Sequence, residues 1–143
     1  MSLVVVDASV AAKWFLPARE ETLRDEAFEV FRNYVAGEIR FIVPDLFWAE
    51  LANVLWKAVR LGRCSNAVAE SGLASLLERD MPTVSSSVLL ESAFRIATTF
   101  DRTVYDSLYV ALAVQSKAQL ITADERLANS LAAHFPVKWL GAV

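Results

Sequence analysis

Asp7, Glu50, Asp106 and Asp124 are the residues whose type and placement could do chemistry. Asp7 directly follows Val4-Val5-Val6, and Asp124 lies two residues past Ile121-Thr122. Asp106 stands in the first turn of an apolar helical stretch, and Glu50 in the second turn of the segment after Phe41-Ile42-Val43. All four lie near a strand end or a helix start, the edge at which open parallel sheets bind ligands. Each also has an ordinary reading. Asp7 and Asp124 can cap the helices that follow them. Thr103-Val104-Tyr105-Asp106 fits a capping box in which Asp106 reaches back to the Thr103 amide. Glu50 can be a solvent-facing helix residue. Their apolar neighbours argue for a joint role, because a buried charge without a partner is costly and crowded carboxylates repel. A divalent cation relieves both costs. Mg²⁺ and Mn²⁺ favour carboxylate and water oxygens. Such an ion can bind a phosphate oxygen and activate water for attack at phosphorus.

The rest of the composition narrows the chemistry further. The chain has 143 residues with one cysteine and one histidine, Cys64 and His134. These exclude a disulfide framework, a multi-cysteine metal site and any site that needs two histidines. A Ser–His–Asp mechanism is not credible with a single histidine set in a late helix near Pro136. Hydrophobic residues make up 55% and charged residues 22%, which excludes disorder. The length predicts one domain over residues 1–143. No apolar run reaches the ~18 residues needed to span a bilayer, so a cytoplasmic protein with no membrane association is expected. The net charge of −3 argues against a passive nucleic-acid binder. Yet of the 17 acidic residues, the 13 outside this set face 14 basic ones. The negative balance therefore belongs to the proposed site, and one or two divalent ions would remove it.

Candidate contacts for a phosphate backbone are basic. Glu50, Asn53, Lys57 and Arg60 share one helical stripe opposite Leu51, Val54, Leu55 and Ala58, although a plain solvated face reads the same way. Lys13, Arg102 and Arg126 lie near the proposed site edge and join Lys57 and Arg60 as candidates. Trp48, Trp56 and Trp139 are assigned to the core or to contacts between copies. Trp14, close to Asp7, stays open as a base-stacking platform.

The elements that must position these groups follow from periodicity. Short apolar, β-branched runs predict strands at Leu3–Val6, Phe41–Val43, Met81–Val84, Gln119–Thr122 and Val137–Leu140. Helical spacing predicts helices at Val10–Leu16, Glu20–Ala36, Leu46–Leu61, Ser65–Arg79, Ser87–Phe100, Tyr105–Ser116 and Glu125–Ala133. Gly37 and Gly62 act as stops and Asp45 as a cap. Gly72 weakens the Ser65–Arg79 helix, and Val88, Leu89, Ala93, Ile96 and Ala97 form the apolar face of the Ser87–Phe100 helix. The Tyr105–Ser116 helix is apolar nearly all round and should be central. Strands alternating with helices predict an α/β three-layer sandwich with a mostly parallel central sheet.

Four stretches in order carry a family resemblance: Val5-Val6-Asp7-Ala8-Ser9-Val10, Pro44 to Asn53, Tyr105 to Ala113, and Leu120-Ile121-Thr122-Ala123-Asp124. With them the chain resembles the PIN domains, specifically the VapC-type toxin nucleases of toxin–antitoxin pairs. The resemblance implies a parallel sheet in which the first and fourth strands are neighbours. It implies Mg²⁺ or Mn²⁺ bound by Asp7, Glu50, Asp106 and Asp124, with supporting hydroxyls at Ser9 and Thr122. It further implies cleavage of RNA by an endoribonuclease, homodimerisation, and inhibition by a small cognate antitoxin. The exposed residues of the Leu46–Leu61 and Ser65–Arg79 helices are the expected docking surface for that antitoxin. The alternatives are a non-catalytic PIN-like module that binds RNA or protein, another metal-dependent phosphoryl-transfer α/β domain, and a structural protein whose acids are caps. A response-regulator receiver fits poorly, since only one acid follows Val6.

Overall fold

Three consecutive valines leave strand β1 (Ser2–Val6) no solvent face at its carboxyl end, and Val4, Val5 and Val6 are all buried. Such a strand belongs in the middle of a parallel sheet. The computed structural model, which describes residues 2–17, 22–79 and 81–143, places it there. β1 pairs in parallel with β2 (Ile39–Pro44) on one side and β4 (Gln119–Thr122) on the other. β3 (Thr83–Val84) extends the β2 side and β5 (Val137–Trp139) the β4 side, so the order is β3-β2-β1-β4-β5, all parallel. The direction of winding changes between β1 and β4, which is where such sheets open a crevice for ligands.

Helices flank the sheet: α1 (Ala8–Ala11), α2 (Arg24–Val35), α3 (Leu46–Arg60), α4 (Asn66–Leu77), α5 (Ser86–Phe100), α6 (Val104–Ser116) and α7 (Glu125–Leu131). Helix α6 is buried continuously from Ser107 to Ala113 and packs on β1, β2 and β4. Its all-round apolar sequence is thus the signature of a helix covered on every side. The deepest aromatic packing joins Trp14, Tyr34 and Phe41, with ring centroids 5.7 Å (Trp14–Phe41) and 4.4 Å (Tyr34–Phe41) apart. The Trp14 indole N–H donates to the Ala27 carbonyl at 2.9 Å. Trp14 is therefore a core residue, which settles its status as a stacking platform in the negative.

Several expectations need correction. The first helix begins at Ala8, not Val10, because the Asp7 side chain caps it, and it tightens to a 3₁₀ turn over Ala12–Trp14. The expected start of the second helix at Glu20 lies outside the described residues, and α2 begins at Arg24. Asp45 does not cap α3. Its Oδ1 instead accepts from the Ser86 N–H at 3.1 Å and from the Ser86 hydroxyl, serving the start of α5, 41 residues away. Val88 is exposed, because the buried stripe of α5 is Leu89, Ala93 and Ile96. Gly72 breaks nothing: a Cβ there would lie 2.6 Å from the Phe15 ring, so the glycine admits that ring against α4. Among the described residues, no helix is long and apolar enough to cross a membrane.

Candidate active site

Asp7 leaves β1 at the crevice. Its own N–H donates to the Ile121 carbonyl of β4 at 3.1 Å, which fixes the backbone across the gap. Its Oδ2 accepts from the Thr122 hydroxyl at 2.7 Å and from the Ser9 hydroxyl at 3.0 Å, and its Oδ1 from the Ser9 N–H at 3.5 Å. Both hydroxyls also accept: Ser9 from the Ala123 N–H at 3.2 Å and Thr122 from the Asp124 N–H at 3.1 Å. Ser9 and Thr122 therefore sew the β1–α1 turn to the β4–α7 turn through one carboxylate. Burial pushes the Asp7 carboxyl above its ordinary pKa, the Thr122 and Ser9 bonds oppose the rise, and the nearby Asp106 charge adds to it.

Glu50 reaches the same place from α3. Tyr109 donates its hydroxyl to Glu50 Oε1 at 2.5 Å. Tyr109, 2% exposed, thus ties α6 to α3. Burial raises the Glu50 pKa, the Tyr109 bond opposes, and the charges of Asp7 and Asp106 raise it further. The Tyr109 phenol is pushed far above its ordinary value by burial, by Asp7 and by its bond to Glu50, so it stays a donor. The residue pattern did not single out Tyr109. The available signal was a lone phenol inside a buried helix, three residues after Asp106, since a buried tyrosine hydroxyl needs a partner.

Asp106 and Asp124 complete the cleft more openly. The Asp106 N–H donates to the Thr103 hydroxyl at 3.0 Å. This is half of the expected capping box. The other half fails because the Asp106 carboxylate turns away to accept from Arg102 Nη2 at 3.2 Å. Asp124 caps α7, its Oδ1 accepting from the Leu127 N–H at 3.1 Å, while its Oδ2 lies 3.9 Å from the same Arg102 nitrogen. Capping and membership of the cleft are therefore compatible for both Asp7 and Asp124.

The structure brings Asp7, Glu50 and Asp106 within reach of one another's charge. It joins Asp124 to them through Thr122 and Arg102. The donor set is all oxygen, partly buried and mutually repulsive, which fits a hard divalent cation. Among the described residues, no three of these acids are drawn together as a finished metal cage.

The basic candidates divide. Lys13 is buried, 8% exposed, in the 3₁₀ turn that follows α1. Arg102 lies inside the cleft on the acids, not at its rim. Arg126 is exposed on the first turn of α7. Lys57 and Arg60 are exposed on α3, about 10 and 15 Å further along the helix axis than Glu50. His134 packs its ring near Phe100, at 5.0 Å between centroids, and takes no part in the cleft.

A family model described as the PIN domain matches residues 4–130. Ribonuclease VapC3 of Pyrobaculum aerophilum is 33% identical over 132 residues, which are 91% of this chain and 95% of that protein. Among solved structures, PAE2754 from Pyrobaculum aerophilum superposes with a TM-score of 0.73 at 22% identity, over 99% of this chain and 91% of that one. VapC20 from Mycobacterium tuberculosis, described as a Sarcin-Ricin loop cleaving toxin, gives 0.66 at 17% identity, over 92% and 95%. At those identities the two structures establish a shared fold. With one domain model spanning most of its length and a relative one-third identical across nearly all of it, the chain belongs to the PIN domain family.

Proposed function

We propose that the chain, as a single domain over residues 1–143, is a metal-dependent endoribonuclease. We propose further that it is the toxin of a toxin–antitoxin pair, acting in the cytoplasm. The observation that carries this reading is the convergence of Asp7, Glu50 and Asp106 at the switch point of the sheet, with Asp124 joined to them by Thr122 and Arg102. Membership in the PIN family and a relative named as a ribonuclease support it.

Asp7, Asp106 and Asp124, with Glu50 directly or through water, would hold Mg²⁺ or Mn²⁺. When bound, such an ion polarises a phosphate oxygen and lowers the pKa of its water. The chain's own part is placement and proton handling. Ser9 and Thr122 favour the ionised form of Asp7 and aim it by donating to Oδ2. Tyr109 occupies Glu50 Oε1, which leaves Oε2 to take the proton of the attacking water. Water displaces the 3′-oxygen in line, leaving a 5′-phosphate and a 3′-hydroxyl. No side chain forms a covalent intermediate.

The partner assignments are a small cognate antitoxin and a second copy of the chain. The apolar groove between α3 and α4, lined by Leu55, Trp56, Val59, Ala69 and Leu73, supports the antitoxin assignment. Relatives by fold include VapBC2 from Rickettsia felis. The test is incubation of partner-free protein with total RNA and Mg²⁺ or Mn²⁺, beside Asp7→Ala and an EDTA control. Cleavage lost in both controls supports the reading. Metal-independent cleavage, or none by the wild type, overturns it.

A further inference from the structure

Arg102 stands where two carboxylates need a positive charge and where nothing else favours one. Its Nη2 donates to Asp106 at 3.2 Å and lies 3.9 Å from Asp124. Its backbone is pinned between two helices. Asp101 ends α5 in the left-handed conformation (φ 54°), the Arg102 N–H donates to the Ala97 carbonyl at 3.2 Å, and Thr103 caps α6. The guanidinium therefore sits off the amino end of α6. The partial positive charge of that helix end disfavours a cation there. The Arg102 Nε is buried and has no hydrogen-bond partner among the described residues, which is a further cost. Among the described residues, the carboxylates of Asp106 and Asp124 compensate. Anything else that neutralises those oxygens removes the reason for Arg102 to stay.

Resting on the metal-dependent reading above, we propose that Arg102 is the resident counter-ion of Asp106 and Asp124. It competes with the divalent cation for the same carboxylate oxygens, and so sets the metal concentration at which the cleft loads. It is a positioning residue. In the metal-free protein it keeps two like charges side by side, and on loading it must let go of them.

The test is a Mn²⁺ titration of the full, partner-free chain, read by thermal shift and by the electron paramagnetic signal of free Mn²⁺, with no RNA present. Arg102→Gln is expected to bind Mn²⁺ roughly two- to five-fold more tightly than wild type, the range that losing one partly exposed ion pair allows. It should also melt lower without metal, and that gap should close as Mn²⁺ saturates. An unchanged Mn²⁺ midpoint, with a melting deficit that persists at saturation, would mean a purely structural arginine and overturns the proposal. Weaker Mn²⁺ binding overturns it too, since Arg102 would then be arranging the acids for the metal. If Arg102→Gln does not fold, Arg102→Lys carries the same test: a compact ammonium bridges two acids less well than a planar fork, so tighter binding supports the proposal and an unchanged midpoint overturns it. Mn²⁺ binding by wild type without RNA cleavage would break the nuclease reading while leaving the competition measurable. No Mn²⁺ binding by any variant ends both.

Discussion

The two sides of the cleft hold their acids by different means. On the β1 side, Asp7 is fixed by two hydroxyls that are themselves fixed by backbone N–H groups of the facing turn. On the α6 side, Asp106 and Asp124 share one long, flexible cation at 3.2 and 3.9 Å. The first arrangement is short-range, buried and directional. The second is partly exposed and exchangeable, with side-chain exposures of 33% and 46% for the two acids. A site that must be rigid toward phosphorus yet admit a cation can divide those demands between two walls.

The largest break should come at Asp7. Asp7→Asn keeps an acceptor for the two hydroxyls and loses the long cap bond from the Ser9 N–H. Its amide oxygen can still accept both hydroxyls at the Oδ2 position, while the –NH₂ takes the position reached only by the Ser9 N–H at 3.5 Å. RNA cleavage is expected to fall by about 10²-fold or more. The metal-free protein should melt higher than wild type, because a crowded buried charge has gone. A lower metal-free melting temperature would show that Asp7 is a structural cap first.

Thr122→Val comes next. It removes the bond to Asp7 from a side chain that is 0% exposed and takes away the acceptor of the Asp124 N–H. A loss of about 1–3 kcal/mol in chemical denaturation is expected. The pH dependence sharpens the same contrast. Asp7 and Glu50 both have pKa values raised by folding, so their contribution to stability is present below the ordinary carboxylate values, 3.8 and 4.5, and is lost as pH rises through the higher folded ones. Metal-free protein should therefore melt higher at mildly acidic pH than at neutral pH. Saturating Mn²⁺ should reverse that trend, because it binds the deprotonated acids. A melting curve that ignores metal at every pH would contradict a shared site. The smallest effect is expected on the open side. Asp124→Asn keeps the α7 cap and gives up only the 3.9 Å ion pair, so stability should change by less than about 0.5 kcal/mol while Mn²⁺ affinity weakens. A large loss of stability there would erase the distinction between the two walls.

The residue pattern made the sheet legible because its signals are local. Val4–Val6 and Leu120–Thr122 can only be buried strands, and the all-apolar α6 can only be central. The four acids were legible because each follows a local stop. Side-chain pairing across long sequence distances was not. Asp45 and Ser86 are 41 residues apart and Glu50 and Tyr109 are 59 apart, so no window along the chain shows either bond. Val88 failed for a related reason: periodicity tells which residues share a face, and the rest of the fold decides which face is covered. Arg102 was read as a rim residue because its separation from Asp106 gives no hint that Asp124 would arrive beside them.

The bond from Thr122 to Asp7 closes a loop of 115 residues. Parallel strands this distant in sequence pair late, after shorter loops have closed. During synthesis β1 is made long before its β4 neighbour. Until β4 follows, the chain has no crevice and no paired acids, so the site is among the last parts of the fold to be completed.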